Sequence, residues 1–101
     1  MFDKLFEAQQ KAGEIKKRLD GIQVTGIAEG GKVSVIATGN KDIVSVQINP
    51  EFFKEADREE LEELLTVAMN KAMEQAENVS QTEMQAATRS ILGNFGGGFD
   101  A

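Results

Sequence analysis

The stretch that decides the fold runs from Ile22 to Pro50 and reads IQVTGIAEGGKVSVIATGNKDIVSVQINP. Val44, Val46 and Ile48 alternate with polar residues, and the run from Val33 to Thr38 alternates apart from Ile36. A period of two places one set of side chains on one face of a sheet. The segments 29–32 and 39–42 supply residues that favour tight turns. The stretch therefore predicts a three-stranded antiparallel meander.

A near-match to a phosphate-binding loop lies inside this meander. Residues 26–32 read GIAEGGK, which fits the spacing G-x-x-x-x-G-K. A phosphate-binding loop continues with Ser or Thr and opens a helix. Here Val33 follows, and a strand pattern follows Val33. We therefore interpret the segment as a hairpin turn and expect no nucleotide site.

Both flanks of the meander have helical periodicity. In residues 2–20 the apolar positions recur at steps of three and four, and Gly21 ends the pattern. The second helix is predicted from Asp57, whose capping-box spacing continues to Glu60, to about residue 91. On its apolar face three alanines follow one another at steps of four residues, and such small side chains permit close approach of another element. The predicted fold is α+β: an N-terminal helix, a three-stranded antiparallel meander and a long C-terminal helix.

The predicted length of the second helix indicates self-association. At 1.5 Å per residue it spans on the order of 50 Å, whereas a compact chain of this size has a radius of gyration of about 13 Å. Its distal half must project or pack on a second chain. The sheet also has edges that need a cover. We expect a homodimer, with residues 1–92 forming a single domain and residues 93–101 forming a flexible glycine-rich tail.

Composition excludes several functions. The 101 residues contain no Cys, His, Trp or Tyr, so disulfides, thiolate chemistry and histidine-based acid–base catalysis are absent. Neither a nucleophile–base pair nor a set of metal ligands is visible, so we expect neither an enzyme nor a cofactor or small-molecule substrate. No apolar run reaches membrane-spanning length and the N-terminus does not resemble a signal peptide, so we expect a cytoplasmic protein that does not contact membranes.

Charge is distributed unevenly. The net charge is −6, yet residues 1–41 carry seven basic and five acidic residues, whereas residues 42–101 carry four and twelve. A site for DNA must therefore be local and lie in the N-terminal half. Lys4, Lys11 and Arg18 are spaced by seven on the first helix and would form a basic ridge. They have an alternative role, since Glu7 and Glu14 precede Lys11 and Arg18 by four, the spacing of surface ion pairs.

The order and spacing of several segments resemble the YbaB/EbfC family of bacterial nucleoid-associated proteins over nearly the full length. These segments are MFDKL at 1–5, QQKA at 9–12, VTG at 24–26, GGKVSV at 30–35, VQINPE at 46–51, residues 57–76 and the glycine-rich end. The resemblance implies a tweezer-like homodimer of the YbaB-like fold. It also implies a non-enzymatic, double-stranded-DNA-binding protein of the nucleoid that affects nucleoid organisation and gene expression.

Candidate DNA contacts follow from this resemblance. They are the basic residues of the first helix and of the two turns: Lys4, Lys11, Lys16, Lys17, Arg18, Lys32 and Lys41. Weak sequence specificity is expected, because no recognition helix with base-reading side chains is visible. The alternative function is a protein-interaction module that binds a protein partner through the long helix and the tail. The acidic segment 51–63 favours that alternative.

Overall fold

The computed structural model describes residues 2–95. Its elements are α1 (Phe2–Asp20), β1 (Gln23–Ala28), β2 (Val33–Thr38), β3 (Ile43–Ile48), α2 (Pro50–Glu55) and α3 (Arg58–Phe95). Helix α1 has the predicted bounds, and Gly21 donates its amide to the Arg18 carbonyl at its end. The α+β fold with a helix on each side of the meander is confirmed.

The sheet is an antiparallel meander in the order β1-β2-β3, as predicted. The first turn is a short 3-10 segment, Glu29–Gly31, in which Gly30 has a φ of 64°. Glycine adopts this left-handed conformation without a steric penalty. Because β2 begins at Val33, directly after this turn, the phosphate-loop spacing belongs to a hairpin.

The core lies between the sheet and the first half of α3. One face of β2 contributes Val33, Val35 and Ala37, all fully buried. They meet the fully buried alanine face of α3, formed by Ala68, Ala72 and Ala76. Gly26 of β1 lies directly beneath this face, where a Cβ would overlap the Ala68 carbonyl and the Ala72 amide. Small side chains on both elements thus set the short distance between helix and sheet.

Helix α3 has 38 residues and begins one residue later than predicted, with Asp57 as its cap. The Asp57 carboxylate accepts the Glu60 amide at 2.8 Å, which satisfies one of the free amides of the first turn. The molecule measures 63 × 25 × 17 Å and has a radius of gyration of 19.1 Å, well above the value of about 13 Å for a compact chain. The distal half of α3 therefore projects, as the sequence indicated.

Helix α1 runs antiparallel along this projecting half. Lys11 contacts Ser90 and Arg18 contacts Glu83, so residues later in α1 contact residues earlier in α3. We call α1 together with residues 80–95 of α3 the arm. The helix of the arm continues through Phe95, and the remainder of the predicted tail, residues 96–101, lies outside the described residues. Within residues 2–95, none of the helices combines the length and apolar character needed to cross a membrane.

Helix α2 was not predicted from the sequence. Asn49 caps it by accepting the Glu51 amide at 2.8 Å and the Phe52 amide at 3.1 Å. Pro50 occupies the first turn, where its missing donor is not needed. Phe52 is buried, whereas Phe53 is 60% exposed. The two adjacent aromatic residues thus face different surroundings.

Candidate nucleic-acid interface

The turn between β2 and β3 is bonded to the C-terminal end of α1. Asn40 donates its side-chain amide to the Lys16 carbonyl at 2.8 Å and to the Asp20 carboxylate. The Gly39 amide donates to the Leu19 carbonyl at 3.1 Å. These bonds place Lys41, in the turn, beside the basic end of α1. The sequence assigned Asn40 only to a turn, because no local pattern indicates that its side chain binds Asp20, which lies 20 residues earlier.

Four of the seven candidate cations therefore lie at one end of the sheet. We call them the junction cluster: Lys16, Lys17, Arg18 and Lys41. Lys16 and Lys17 are exposed, and neither forms an ion pair with another described residue. Lysines in this state can meet a phosphate without first leaving a carboxylate.

The other two cations of the junction cluster are paired with α3. Arg18 donates to the Glu83 carboxylate at 2.9 Å, although its side chain remains 64% exposed. The Lys41 ammonium binds the Glu77 carboxylate, and both side chains are about half exposed. The hydrogen bond from Lys41 lowers the pKa of Glu77, and a second bond from Gln81 acts in the same direction. Glu77 is therefore ionised at neutral pH.

The ion pairs expected within α1 are not formed. Glu7 and Glu14 lie four residues before Lys11 and Arg18, yet both cations turn toward α3. Asp20, four residues after Lys16, likewise has its partner outside α1 and accepts the side-chain amide of Asn40. Partners on other elements replace the intrahelical pairs because an isolated pair on one helix contributes only about 0.2–0.5 kcal/mol to stability. The pattern of charges within α1 could not reveal this, since the competing groups, Ser90, Glu83 and Asn40, lie 79, 65 and 20 residues away along the chain.

The remaining candidates are spread over the molecule. Lys11 donates to the Ser90 hydroxyl at 3.1 Å on the arm. Lys4 lies near the free end of the arm, about 20 Å from Arg18 at 1.5 Å per residue. Lys32 is at the opposite end of β2, a strand length of about 17–20 Å from Lys41. Its ammonium lies 5.5 Å from the centre of the Phe52 ring, within a groove that also contains four glutamates: Glu29, Glu51, Glu55 and Glu60.

The outer edge of β3 forms a second notable surface. The opposite edge of the sheet, on β1, is partly covered because Lys71 donates to the Ile27 carbonyl at 3.1 Å. Strand β3 contains no charged residue, and Ile43, Val44 and Val46 are 42%, 50% and 45% exposed. Helix α3 packs over β1 and β2 and leaves these side chains uncovered. An apolar, uncharged edge of this kind is a template for pairing with another strand.

The fold defines a class of small α+β proteins in which one long helix crosses a three-stranded meander and extends beyond it. A crystal structure of a Helicobacter pylori protein has the same fold, with a TM-score of 0.68 and 21% identity over 86% of this chain and 88% of that one. The sequence matches the model of the YbaB/EbfC DNA-binding family over residues 1–91, and the chain belongs to this family. This is a DNA-binding family and not an enzyme family.

Two relatives extend the comparison. A nucleoid-associated protein of Caldanaerobacter subterraneus is 40% identical over 85 residues, which cover 81% of this chain and 77% of the relative. A nucleoid-associated protein of Flavobacterium johnsoniae is 33% identical over 97 residues, covering 96% and 90%. The resemblance predicted from the sequence is therefore confirmed.

Proposed function

We propose that this chain is a non-enzymatic, homodimeric DNA-binding protein of the nucleoid that affects nucleoid organisation and gene expression. The observation that carries the proposal is the junction cluster, four cations gathered at one end of an otherwise acidic member of a DNA-binding family. Both named relatives are nucleoid-associated proteins, which supports the same role here. Lys16 and Lys17 supply the contacts to phosphate that need no prior rearrangement.

The DNA backbone is the main target, and base sequence contributes little. Phosphate contacts position a protein on DNA, whereas sequence is read by side chains that reach base edges. The junction cluster consists of lysines and one arginine at the end of a helix and in a turn. The neighbouring Asn40 side chain already donates to α1, so it is not poised to read adenine. We expect two unrelated duplexes of equal length to bind within about tenfold of each other. A specific site would differ from random DNA by about 10³-fold or more.

Fluorescence anisotropy of a labelled random duplex at about 50 and 200 mM salt tests DNA binding. If a dimer engages the two free lysines of each protomer, four phosphates are neutralised. The slope of log K against log salt is then about −3.6, and affinity falls about a hundredfold over this range. Contacts from further cations make the slope steeper. Absence of binding at about 50 mM salt overturns the proposal.

A charge-reversal pair tests the location of the site. Lys16→Glu with Lys17→Glu weakens binding to every duplex, because both changes replace attraction to phosphate by repulsion. Lys54→Glu with Arg58→Glu is the matched control, since it changes the net charge equally but lies in the acidic segment 51–63. Equal losses in the two variants would show that only total charge matters and would refute the junction cluster as the site.

The homodimer forms through the β3 edge in this proposal. A second copy suits this edge, because two identical strands can exchange main-chain hydrogen bonds and bury their valines together. Light scattering should give about twice the chain mass of 11.0 kDa. Val46→Lys should convert the dimer to a monomer. Val67→Lys, at a similarly exposed position of α3, should not. A monomeric wild type, or a dimeric Val46→Lys, contradicts this assignment.

The arm supports the second candidate function, a protein-interaction module. Near its end Leu5, Phe6 and Leu92 are 65%, 67% and 60% exposed, which suits an apolar partner surface. Affinity capture after nuclease treatment separates the two functions. A partner that survives nuclease and is lost with Leu5→Glu and Phe6→Glu supports protein binding. A partner lost with nuclease alone was held through DNA.

A further inference from the structure

Helix α3 supplies a carboxylate to each of the two paired cations of the junction cluster. Glu83 binds Arg18, and Glu77 binds Lys41. The two glutamates are six residues apart on α3, and the two cations come from α1 and from the β2–β3 turn. One stretch of a single helix therefore neutralises half of the candidate DNA site.

Each of these carboxylates binds a cation through donors that a DNA phosphate would also use. Arginine and lysine bind carboxylate and phosphate oxygens with the same donors and similar geometry. Arg18 and Lys41 remain 64% and 50% exposed, so a phosphate can approach each of them from solvent. A cation already paired must exchange one oxygen anion for another, which reduces its net contribution to DNA binding. By contrast, Lys16 and Lys17 face no such exchange with the described residues.

We infer that Glu77 and Glu83 compete with DNA phosphate for Lys41 and Arg18, and thereby hold the DNA affinity of this protein below what its cations would otherwise give. The inference rests on the proposed DNA-binding function and adds to it an internal limit on affinity. In this scheme Arg18 and Lys41 contact phosphate only after their ion pairs are broken, so in the wild-type protein most of the phosphate contacts come from Lys16 and Lys17.

The central test is DNA affinity of Glu77→Gln and Glu83→Gln. Glutamine keeps the size of the side chain and removes its charge. An exposed ion pair corresponds to a factor of about 1.4 to 5. Since a dimer has two copies, each substitution should raise affinity about 2- to 30-fold at low salt. If all four freed cations of a dimer reach phosphate, the slope of log K against log salt becomes steeper by up to about 3.6 in the double variant.

Two controls separate competition from a general loss of negative charge. Glu14→Gln removes a carboxylate that lines the same groove as Arg18 without forming an ion pair to it. Glu74→Gln removes one from α3, three residues before Glu77, that has no ion pair among the described residues. Both should leave affinity within about twofold. Equal gains in DNA affinity from the controls and from the test variants would overturn the inference, because long-range repulsion by negative charge would then explain all of them.

A mutant cycle assigns each effect to its pair. The gain from Glu83→Gln should disappear in an Arg18→Gln background and persist in a Lys41→Gln background. The gain from Glu77→Gln should show the reverse dependence. Gains that persist in both backgrounds overturn the inference.

Failure of the inference is distinguishable from failure of the proposed function. If wild type binds DNA and neither glutamine substitution raises its affinity, DNA binding stands and internal competition is refuted. If wild type and all variants fail to bind at low salt, the proposed function itself is wrong. Far-UV circular dichroism checks that the helix content of Glu83→Gln matches that of the wild type. The Glu77 variant, whose pair lies outside the arm, provides the same test independently.

Discussion

Gly26→Ala tests the contact that sets the distance between α3 and the sheet. The added methyl would overlap two backbone groups of α3, the Ala68 carbonyl and the Ala72 amide. Neither can move by a side-chain rotation, so the whole helix must shift by on the order of 1 Å to restore a carbon–oxygen separation of about 3.3 Å. Such a shift opens the packing of the alanine face, where Ala68, Ala72 and Ala76 are fully buried.

Overpacking of a close core typically costs about 1–3 kcal/mol, and a clash with fixed backbone belongs at the upper end of that range. We therefore expect Gly26→Ala to lower the free energy of unfolding by about 3 kcal/mol. For a domain of this size that corresponds to a fall in Tm of about 12–24 °C. Circular dichroism should follow thermal and urea unfolding at one fixed protein concentration, because the Tm of the proposed dimer would depend on concentration.

Gly13→Ala is the matched control. Gly13 lies in α1, and a Cβ there meets nothing within 4 Å. Alanine at a helical position of this kind should stabilise the protein by about 0.4–1 kcal/mol. A change of less than about 0.5 kcal/mol in Gly26→Ala would refute the reasoning, because a surface substitution gives no larger effect.

Three further outcomes follow from the contacts. Asn49→Ala should cost about 1 kcal/mol in urea unfolding, because it removes the cap of α2; a change below about 0.3 kcal/mol would contradict that role. Phe52→Ala should lower the free energy of unfolding by about 3–5 kcal/mol, whereas Phe53→Ala should leave that of the monomer within about 0.5 kcal/mol of wild type. The reverse order would show that the buried and exposed positions have been assigned to the wrong aromatic residues. The depressed pKa of Glu77 implies stability that is present above pH 4.5 and lost as pH falls through its folded pKa. Carboxyl titration by NMR should show this pKa rising in Lys41→Gln, and an unchanged pKa would refute the pairing.

The fold was predictable where local signals agree with tertiary structure. The alternation of β3, the turn residues around Gly30 and the apolar stripe of α1 each specify an element without help from distant residues. Helix α2 was missed because its signal is short. Asn49 and Pro50 close the stretch that predicts the meander, and they are also the cap and first turn of a six-residue helix. The same two residues satisfy both descriptions.

The sequence predicted which residue types form the candidate site, but it did not predict which of the cations are bound in ion pairs. Basic residues in the N-terminal half marked where cations would lie, and four of them do meet at the end of the sheet. Their pairing depended on residues far along the chain: Glu83 is 65 residues from Arg18, and Asn40 is 20 residues from Asp20. Intrahelical spacing offered Arg18 a nearer partner in Glu14, and the tertiary partner prevailed.

An acidic chain can bind DNA when its charges are segregated. The four glutamates of the first turns of α3, Glu59, Glu60, Glu62 and Glu63, lie toward the Lys32 end of the sheet, a strand length from the junction cluster. A separation of about 17–20 Å exceeds the screening length of about 8 Å at physiological salt, so these glutamates repel a phosphate at the junction only weakly. Glu77 and Glu83 lie within hydrogen-bonding distance of their cations, where salt screens little. We therefore expect Glu77 and Glu83 to limit DNA affinity more than the four glutamates of the first turns of α3 do.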